Sequence, residues 1–225
     1  KKHEHNAIVC TSDLIHEHRA EGDVRLVVVF CNTIVLAKTV LAKLQTLGHL
    51  DSLVYHGRLC VEAKDTVYQR LIRGDPSTVL VCTSSFGTGM DFNVGLGFIL
   101  GCPTDLHTWV QQTGRVGRRD HSKKARLYMF LWGNPELEMN VAFGAGHVTE
   151  DVQLMSNPNI CLLSVATQRF DDIEGLVCGT SKSFTRCSAC VRGGGGGGSN
   201  NRIRSSVGLV VSSQLSINAR ALRQR

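Results

Sequence analysis

Two arginines three residues apart, Arg115 and Arg118, are the side chains of this sequence whose types and spacing best suit chemistry. They lie within residues 111–120, where glycines precede and separate them. An arginine presents a rigid, permanently charged fork of N–H donors that fits phosphate oxygens, and two of them spaced i, i+3 project from one face of a helical turn. The pattern indicates a site that stabilises charge on a transferred γ-phosphoryl group. A solvated, inert basic turn is the alternative.

Four cysteines in the second half of the chain form another candidate site. Cys187 and Cys190 make a C-x-x-C pair, and Cys161 and Cys178 precede them. Four thiolates suit the tetrahedral coordination of Zn²⁺, and a closed four-cysteine site is structural rather than catalytic. Four unrelated free thiols are the alternative.

Several motifs resemble those of one enzyme family. Residues 111–120 resemble the sixth motif of superfamily 2 helicases in the form used by the RecQ family, Q-E-x-G-R-A-G-R-D-G. Residues 79–92 resemble the fifth motif, residues 26–33 resemble the fourth, and residues 55–57 stand where the family has Tyr-His-Ala-Gly. The resemblance spans roughly residues 7–190. Ordered motifs are far more specific than any one of them.

The resemblance implies a role for each motif residue. Arg118 corresponds to an arginine finger on the γ-phosphate, Arg115 to a residue that contacts phosphate or pairs with an acid, and Gln111 to a link between the ATP site and the other domain. The leading Gln111 favours RecQ over the DEAD-box RNA helicases, which have histidine there. The implied nucleotide contacts in the fifth motif are Gly87, Gly89 and Asp91. The implied nucleic-acid contacts are Asn32, Thr33, Thr83 and Ser84.

The sequence also departs from the family pattern. The family has an acid where this chain has Gln112, and residues 93–98 lack the arginine of the pattern P-x-V-R-x-V-I. Because the RecQ family has a zinc subdomain directly after the helicase core, the resemblance implies that the four cysteines hold structural Zn²⁺. The eight residues between Cys178 and Cys187 make a longer gap than the family usually has.

Alternating apolar and helical patterns must position these residues. Strands are predicted at residues 26–30, 51–55, 78–82, 98–101 and 125–131. Helices are predicted at residues 6–20, 35–47, 64–73 and 104–112. This α/β order predicts a parallel sheet flanked by helices, RecA-like by the resemblance, with ligands beyond the carboxyl ends of the strands.

Three regions are expected along the chain. Residues 1–133 are predicted to form the helicase C-terminal RecA-like domain, and residues 134–192 a small, mainly helical zinc-binding subdomain. Six consecutive glycines open the last region, residues 193–225, which is predicted to be a flexible linker and basic tail. Residues 207–215 of this tail have a pattern that would also allow pairing as a strand.

Composition bounds the function classes. Hydrophobic residues make up 42% of the 225 residues, enough for a sizeable core, and no apolar run reaches the ~18 residues of a membrane span. The net charge of +6 comes entirely from six arginines beyond residue 190, which favours nucleic-acid phosphates, although a solvated tail without a partner is the alternative. Nine scattered cysteines favour a reducing intracellular compartment. The RecQ resemblance implies the nucleus in a eukaryote.

The phosphate-binding pattern G-x-x-x-x-G-K-[ST] does not occur in the sequence, and neither does an Asp-Glu-x-His or Asp-Glu-x-Asp stretch. Those belong to the first RecA-like domain, so the site for ATP with Mg²⁺ is expected to be shared with that partner, and the isolated chain is expected not to hydrolyse ATP. Two hypotheses remain open. The chain is part of an ATP-driven 3′-to-5′ DNA helicase, or it is a degenerate, non-catalytic nucleic-acid-binding remnant.

Overall fold

The computed structural model describes residues 2–87, 91–118, 125–131, 162–171 and 208–213. Its helices are α1 (Lys2–Ala20), α2 (Ile34–Thr46), α3 (Val61–Arg73), α4 (Leu106–Thr113) and α5 (Leu162–Asp171). Its strands are β1 (Leu26–Cys31), β2 (Ser52–Tyr55), β3 (Val79–Cys82), β4 (Val94–Leu100), β5 (Ala125–Phe130) and β6 (Gly208–Ser213). A 3₁₀ turn at Ser84–Gly87 follows β3.

The six strands of the described residues form one sheet in the order β2-β3-β1-β4-β5-β6. The first five strands of this order are parallel, and β6 pairs antiparallel with β5 at the edge. The prediction of a parallel sheet flanked by helices is therefore confirmed. The tail segment at residues 207–215 contributes β6, the strand that its pattern allowed.

Helices cover both faces of the sheet, which is why its central strands are almost uniformly apolar. On one face, Ile8 and Ile15 of α1 and Val40 of α2 pack against alternate residues of β1 and β4. On the other face, Leu71 of α3 and Trp109 of α4 pack against the residues of β1 and β4 that point to that side. Burial of each such side chain stabilises the fold by roughly 1.5–3 kcal/mol.

The structure corrects one strand boundary. The sequence predicts the fourth strand over residues 98–101, but β4 begins at Val94. Residues 94–97 include two glycines, Gly95 and Gly97, which weaken the apolar signal of a strand. Both glycines lie where a neighbouring side chain approaches the backbone closely.

Only α5 is described within residues 134–192, the predicted zinc-binding region. Ala166 of α5 is buried in the same core as α3 and α4. Helix α5 begins at Leu162, directly after Cys161. Among the described residues, none of the helices has the length and apolarity to cross a membrane. The boundaries at residues 133 and 192 stay predictions.

Candidate functional site

Helix α4 positions Arg115 and Arg118, which follow it in the chain. It begins after Asp105, whose carboxylate accepts a hydrogen bond of 2.6 Å from the backbone N–H of Thr108. Burial by itself raises the pKa of Asp105, but hydrogen bonds from Thr108 and Thr104 outweigh it and hold the pKa below its usual range. The helix ends at Thr113, and the N–H of the next residue, Gly114, donates to the Val110 carbonyl at 2.9 Å. A short helix with a charged cap at its start fixes the direction of the segment that follows it, residues 114–118, here called the arginine turn.

The arginine turn is fastened to the beginning of β4. Val116 forms a parallel bridge with Val94, and the N–H of Gly117 donates to the Val94 carbonyl at 2.8 Å. Gly117 has φ of +71°, a conformation that favours glycine. A Cβ on Gly97 would lie 2.5 Å from Cγ2 of Val116, so the turn can sit on β4 only because residue 97 has no side chain.

Three charged groups meet at this turn. Arg115 is partly buried and Arg118 is exposed. Burial lowers the pKa of Arg115, the positive charge of Arg118 lowers it further, and the carboxylate of Asp91 partly offsets both effects. Two guanidinium groups that repel each other, one of them open to solvent, are chemically suited to a polyanionic phosphate group. The structure thus brings together Arg115, Arg118 and Asp91, three of the predicted residues.

Two neighbouring glutamines differ in their surroundings. Gln111 is exposed, and its Nε2 lies 3.3 Å from Nε2 of His107 one helical turn earlier. Gln112, where the family has an acid, is only 4% exposed, and its Oε1 has no hydrogen-bond partner among the described residues. A carboxylate in that buried position would need a charged partner, so the amide is the less costly residue for the surroundings that the structure describes.

The predicted nucleic-acid contacts lie at the carboxyl ends of β1 and β3. Thr33 caps α2, its Oγ1 accepting from the Leu36 N–H at 3.1 Å. Asn32 donates through Nδ2 to the Cys102 carbonyl.

Thr83 is 8% exposed, and its Oγ1 lies 2.9 Å from Oγ of Ser85. Ser84 is exposed. Ser84 is therefore the most accessible of the four residues, while the side chains of Asn32, Thr33 and Thr83 already make hydrogen bonds within the domain. All four stay predicted contacts.

Cationic side chains at the same edge were not identified from the sequence. Burial lowers the pKa of His56, and the positive charges of Lys38, Arg58 and Lys64 lower it further. His56 is 5% exposed, and its Nδ1 has no partner among the described residues. These cations come from α2, the loop after β2, and α3, so their sequence spacing carries no signal. Only the parallel strand order brings them together.

Other predicted site residues lie partly or wholly outside the described residues. Gly87 is the last residue of the 3₁₀ turn, whereas Gly89 falls outside. The same holds for the four predicted zinc ligands, Cys161, Cys178, Cys187 and Cys190. Within the described part of the chain, no three His, Cys, Asp or Glu side chains are arranged to hold a metal ion. The zinc site stays a prediction.

Comparison with known proteins identifies the class. Residues 7–120, just over half of the chain, match the family described as "Helicase conserved C-terminal domain", and the chain belongs to this family. The fold is therefore that of the C-terminal RecA-like domain of a superfamily 2 helicase.

One curated relative is the mitochondrial ATP-dependent RNA helicase MSS116 of Saccharomyces cerevisiae, 26% identical over 144 residues, or 61% of this chain and 21% of the relative. The chain thus spans about a fifth of that protein's length. The structure of Mss116p DEAD-box helicase domain 2 bound to an RNA duplex has a TM-score of 0.50 at 20% identity, covering 72% of each chain.

The helicase MrfA, solved bound to DNA and AMPPNP, has a TM-score of 0.50 at 18% identity over 76% of this chain and 26% of its own. At these identities the likeness to MrfA and Mss116p shows the fold alone.

Proposed function

We propose that this chain is the C-terminal half of an ATP-dependent DNA helicase of RecQ type that moves 3′ to 5′, with Arg118 as its arginine finger. The observation that carries the proposal is the pair of arginines on a turn fastened to β4, with Arg118 exposed and Arg115 partly buried beside Asp91. An arginine placed in this way neutralises charge that grows on the γ-phosphate as it is transferred.

Arg118 can act only when another surface presents the phosphates. The proposed reaction is the hydrolysis of ATP, which binds together with Mg²⁺. The groups of this chain that suit this reaction are the guanidinium donors of Arg115 and Arg118. The metal and the phosphate cradle belong to the first RecA-like domain in this proposal. Gln111, exposed on α4, faces outward, where a second domain can contact it.

The carboxyl edge of the sheet is the proposed nucleic-acid surface. Ser84 is exposed there, and the charges of Lys38, Arg58 and Lys64 surround His56 at the same edge. Lysine and arginine side chains bind phosphodiester groups and release counterions, so binding should weaken steeply with salt. The glutamine at position 111 supports DNA as the substrate, whereas the 26% identity to an RNA helicase favours RNA as a second candidate.

The cysteine region is part of the same proposal. Cys161 lies directly before α5, in keeping with a zinc ligand at the start of a helix, and thiolates are ligands that Zn²⁺ prefers. We place Cys178, Cys187 and Cys190 in the same site on the RecQ resemblance. A nuclear location in a eukaryote follows from that resemblance as well.

The test joins the chain to a first RecA-like domain from a superfamily 2 helicase and measures ATP hydrolysis with single-stranded DNA and with single-stranded RNA. We expect DNA to stimulate hydrolysis more than RNA does, and Arg118→Ala to lower kcat by a factor of about 10³. Arg126→Ala, which removes an arginine paired with Glu21 on the surface, is the matched control.

Equal loss in Arg118→Ala and Arg126→Ala would contradict the arginine-finger role. Stimulation by RNA alone would favour the RNA candidate. Nucleic-acid binding without hydrolysis in the joined protein would support the non-catalytic remnant instead.

A further inference from the structure

A β-bulge lies at the point where β4 meets β1. Leu26 pairs with Val94, but the next residue of β1, Val27, pairs with Leu96. Gly95 is therefore one extra residue in β4 without a partner in β1. Bulges are rare between parallel strands, and they bend the strand and change the direction of the groups beside them.

The side chain of Arg25 covers this bulge. A Cβ on Gly95 would lie 2.7 Å from Nε, 2.9 Å from Cβ and 3.1 Å from Cζ of Arg25. Real Cβ atoms almost never come within 3.0 Å of such neighbours, so Arg25 and a side chain at residue 95 exclude each other.

Arg25 is held firmly in this place. It is 6% exposed, and its Nε lies 3.0 Å from both carboxylate oxygens of Asp23. Burial by itself raises the pKa of Asp23, but hydrogen bonds from Arg25 outweigh it and lower the pKa to about 2. Arg19 donates to the carbonyls of Asp23, Arg25 and Thr78, which joins the end of α1 to the beginnings of β1 and β3.

The peptide groups before the bulge connect Arg25 to the arginine turn. The N–H of Leu26, the residue next to Arg25, donates to the Asn93 carbonyl at 3.1 Å. The carbonyl of the following residue, Val94, accepts from Gly117 at 2.8 Å. Arg25, Asn93 and Asp91 also line one cavity of about 620 Å³. A shift at the bulge therefore moves both Asp91 and the attachment of the turn that carries Arg115 and Arg118.

We propose that Arg25 is a positioning residue. By filling the space above the Gly95 bulge, it fixes the position of residues 91–93, which follow the fifth motif's glycines, relative to the arginine turn. The effect on hydrolysis rests on the proposed function, whereas the effect on the turn does not. Arg25 acts through the backbone of residues 93–95.

The first experiment measures amide hydrogen exchange by NMR in the full 225-residue chain. Arg25→Met keeps the apolar stem and removes the guanidinium, and Gly95→Ala adds the excluded Cβ. We expect each variant to exchange about tenfold faster at the Leu26 and Gly117 amides, because the opening is local. The Ala37 amide, which donates to the Thr33 carbonyl at the beginning of α2, is the internal reference.

Arg126→Met is the matched control variant. It removes another arginine–carboxylate pair, in which Arg126 lies 2.8 Å from Glu21 at the surface. It should leave Gly117 protected. Faster exchange at Gly117 and Ala37 alike in Arg25→Met would mean general destabilisation and would overturn the proposal. So would unchanged exchange at Gly117 in both test variants.

A double variant tests whether Arg25 and a side chain at residue 95 compete for the same space or whether the two substitutions act independently. Arg25→Gly removes all three atoms that a Cβ on residue 95 would meet, Nε, Cβ and Cζ of Arg25, so Gly95→Ala should do less harm in that background than in the wild type. The rate increase at Gly117 in the double variant should fall below the product of the two single increases. An increase equal to that product would show that Arg25 does not exclude a side chain at residue 95.

The second experiment uses the chain joined to a first RecA-like domain. Arg25→Met should lower kcat while leaving the KM for ATP close to the wild-type value, because the turn is misplaced rather than removed. Equal changes in kcat and KM would contradict the positioning role. If the wild-type assembly does not hydrolyse ATP, the proposed function fails, and the exchange at Gly117 still decides the role of Arg25.

Discussion

Gly97 should not tolerate even one additional methyl group. A Cβ at residue 97 would lie 2.5 Å from Cγ2 of Val116 and 2.8 Å from Cδ1 of Leu127. Val116 is 1% exposed and Leu127 is fully buried, so neither side chain has free space to move into. The Gly97→Ala variant must therefore push the arginine turn away from β4 or strain the core beneath it.

The size of the effect follows from two opposing contributions. Alanine loses less backbone entropy than glycine on folding, which by itself favours the variant by roughly 0.5–1 kcal/mol. Forcing an extra methyl group into a close-packed core costs roughly 1–3 kcal/mol. The free energy of unfolding should thus fall by about 1–2 kcal/mol, which lowers the urea midpoint by about 0.5–1 M for a domain of this size.

The assay is urea unfolding followed by circular dichroism. Gly57→Ala is the matched control, because a Cβ there would lie 3.7 Å from Cβ of Ser85, an ordinary contact. It should change stability by less than about 0.5 kcal/mol. Gly97→Ala combined with Val116→Ala should destabilise the fold by less than the sum of the two single changes, since Cγ2 is then absent. A Gly97→Ala variant as stable as Gly57→Ala would refute the reasoning.

Three further outcomes are expected. The isolated chain should show no DNA-stimulated ATP hydrolysis, and turnover above background that Arg118→Ala abolishes would contradict this. The pKa of Asp23 is lowered to about 2 in the folded state, so its contribution, at most roughly 2 kcal/mol, is present above about pH 4 and lost as the pH falls towards 2. Urea unfolding across that range should show a smaller pH dependence in Asp23→Asn than in the wild type, and equal curves would refute this assignment. The purified chain should carry about one Zn²⁺ by elemental analysis, and metal-free protein with an unchanged fold would contradict the site formed by Cys161, Cys178, Cys187 and Cys190.

The sequence alone determined the order of elements and the arginine motif. An apolar run such as residues 26–30 is typical of a strand buried on both faces, and helical patterns between such runs require parallel neighbours. The structure confirms that sheet. Arg115 and Arg118 were predicted as neighbours because local spacing on one turn is sufficient to place them together.

Contacts between residues far apart in sequence were decided only by the tertiary structure. The start of β4 at Val94 depends on Arg25 and Val116, which occupy the space that side chains at residues 95 and 97 would need. A glycine read from sequence indicates that backbone freedom or close approach is possible, but it does not show which atom approaches.

The same limit applies to the polar side chains at the sheet edge. Thr33 was predicted to contact nucleic acid, and its hydroxyl caps α2 in the folded domain. The cations around His56 come from three separate elements. Periodicity is a local property that the chain carries before it folds, whereas these groups become neighbours only when parallel strands align their carboxyl ends at one edge of the sheet.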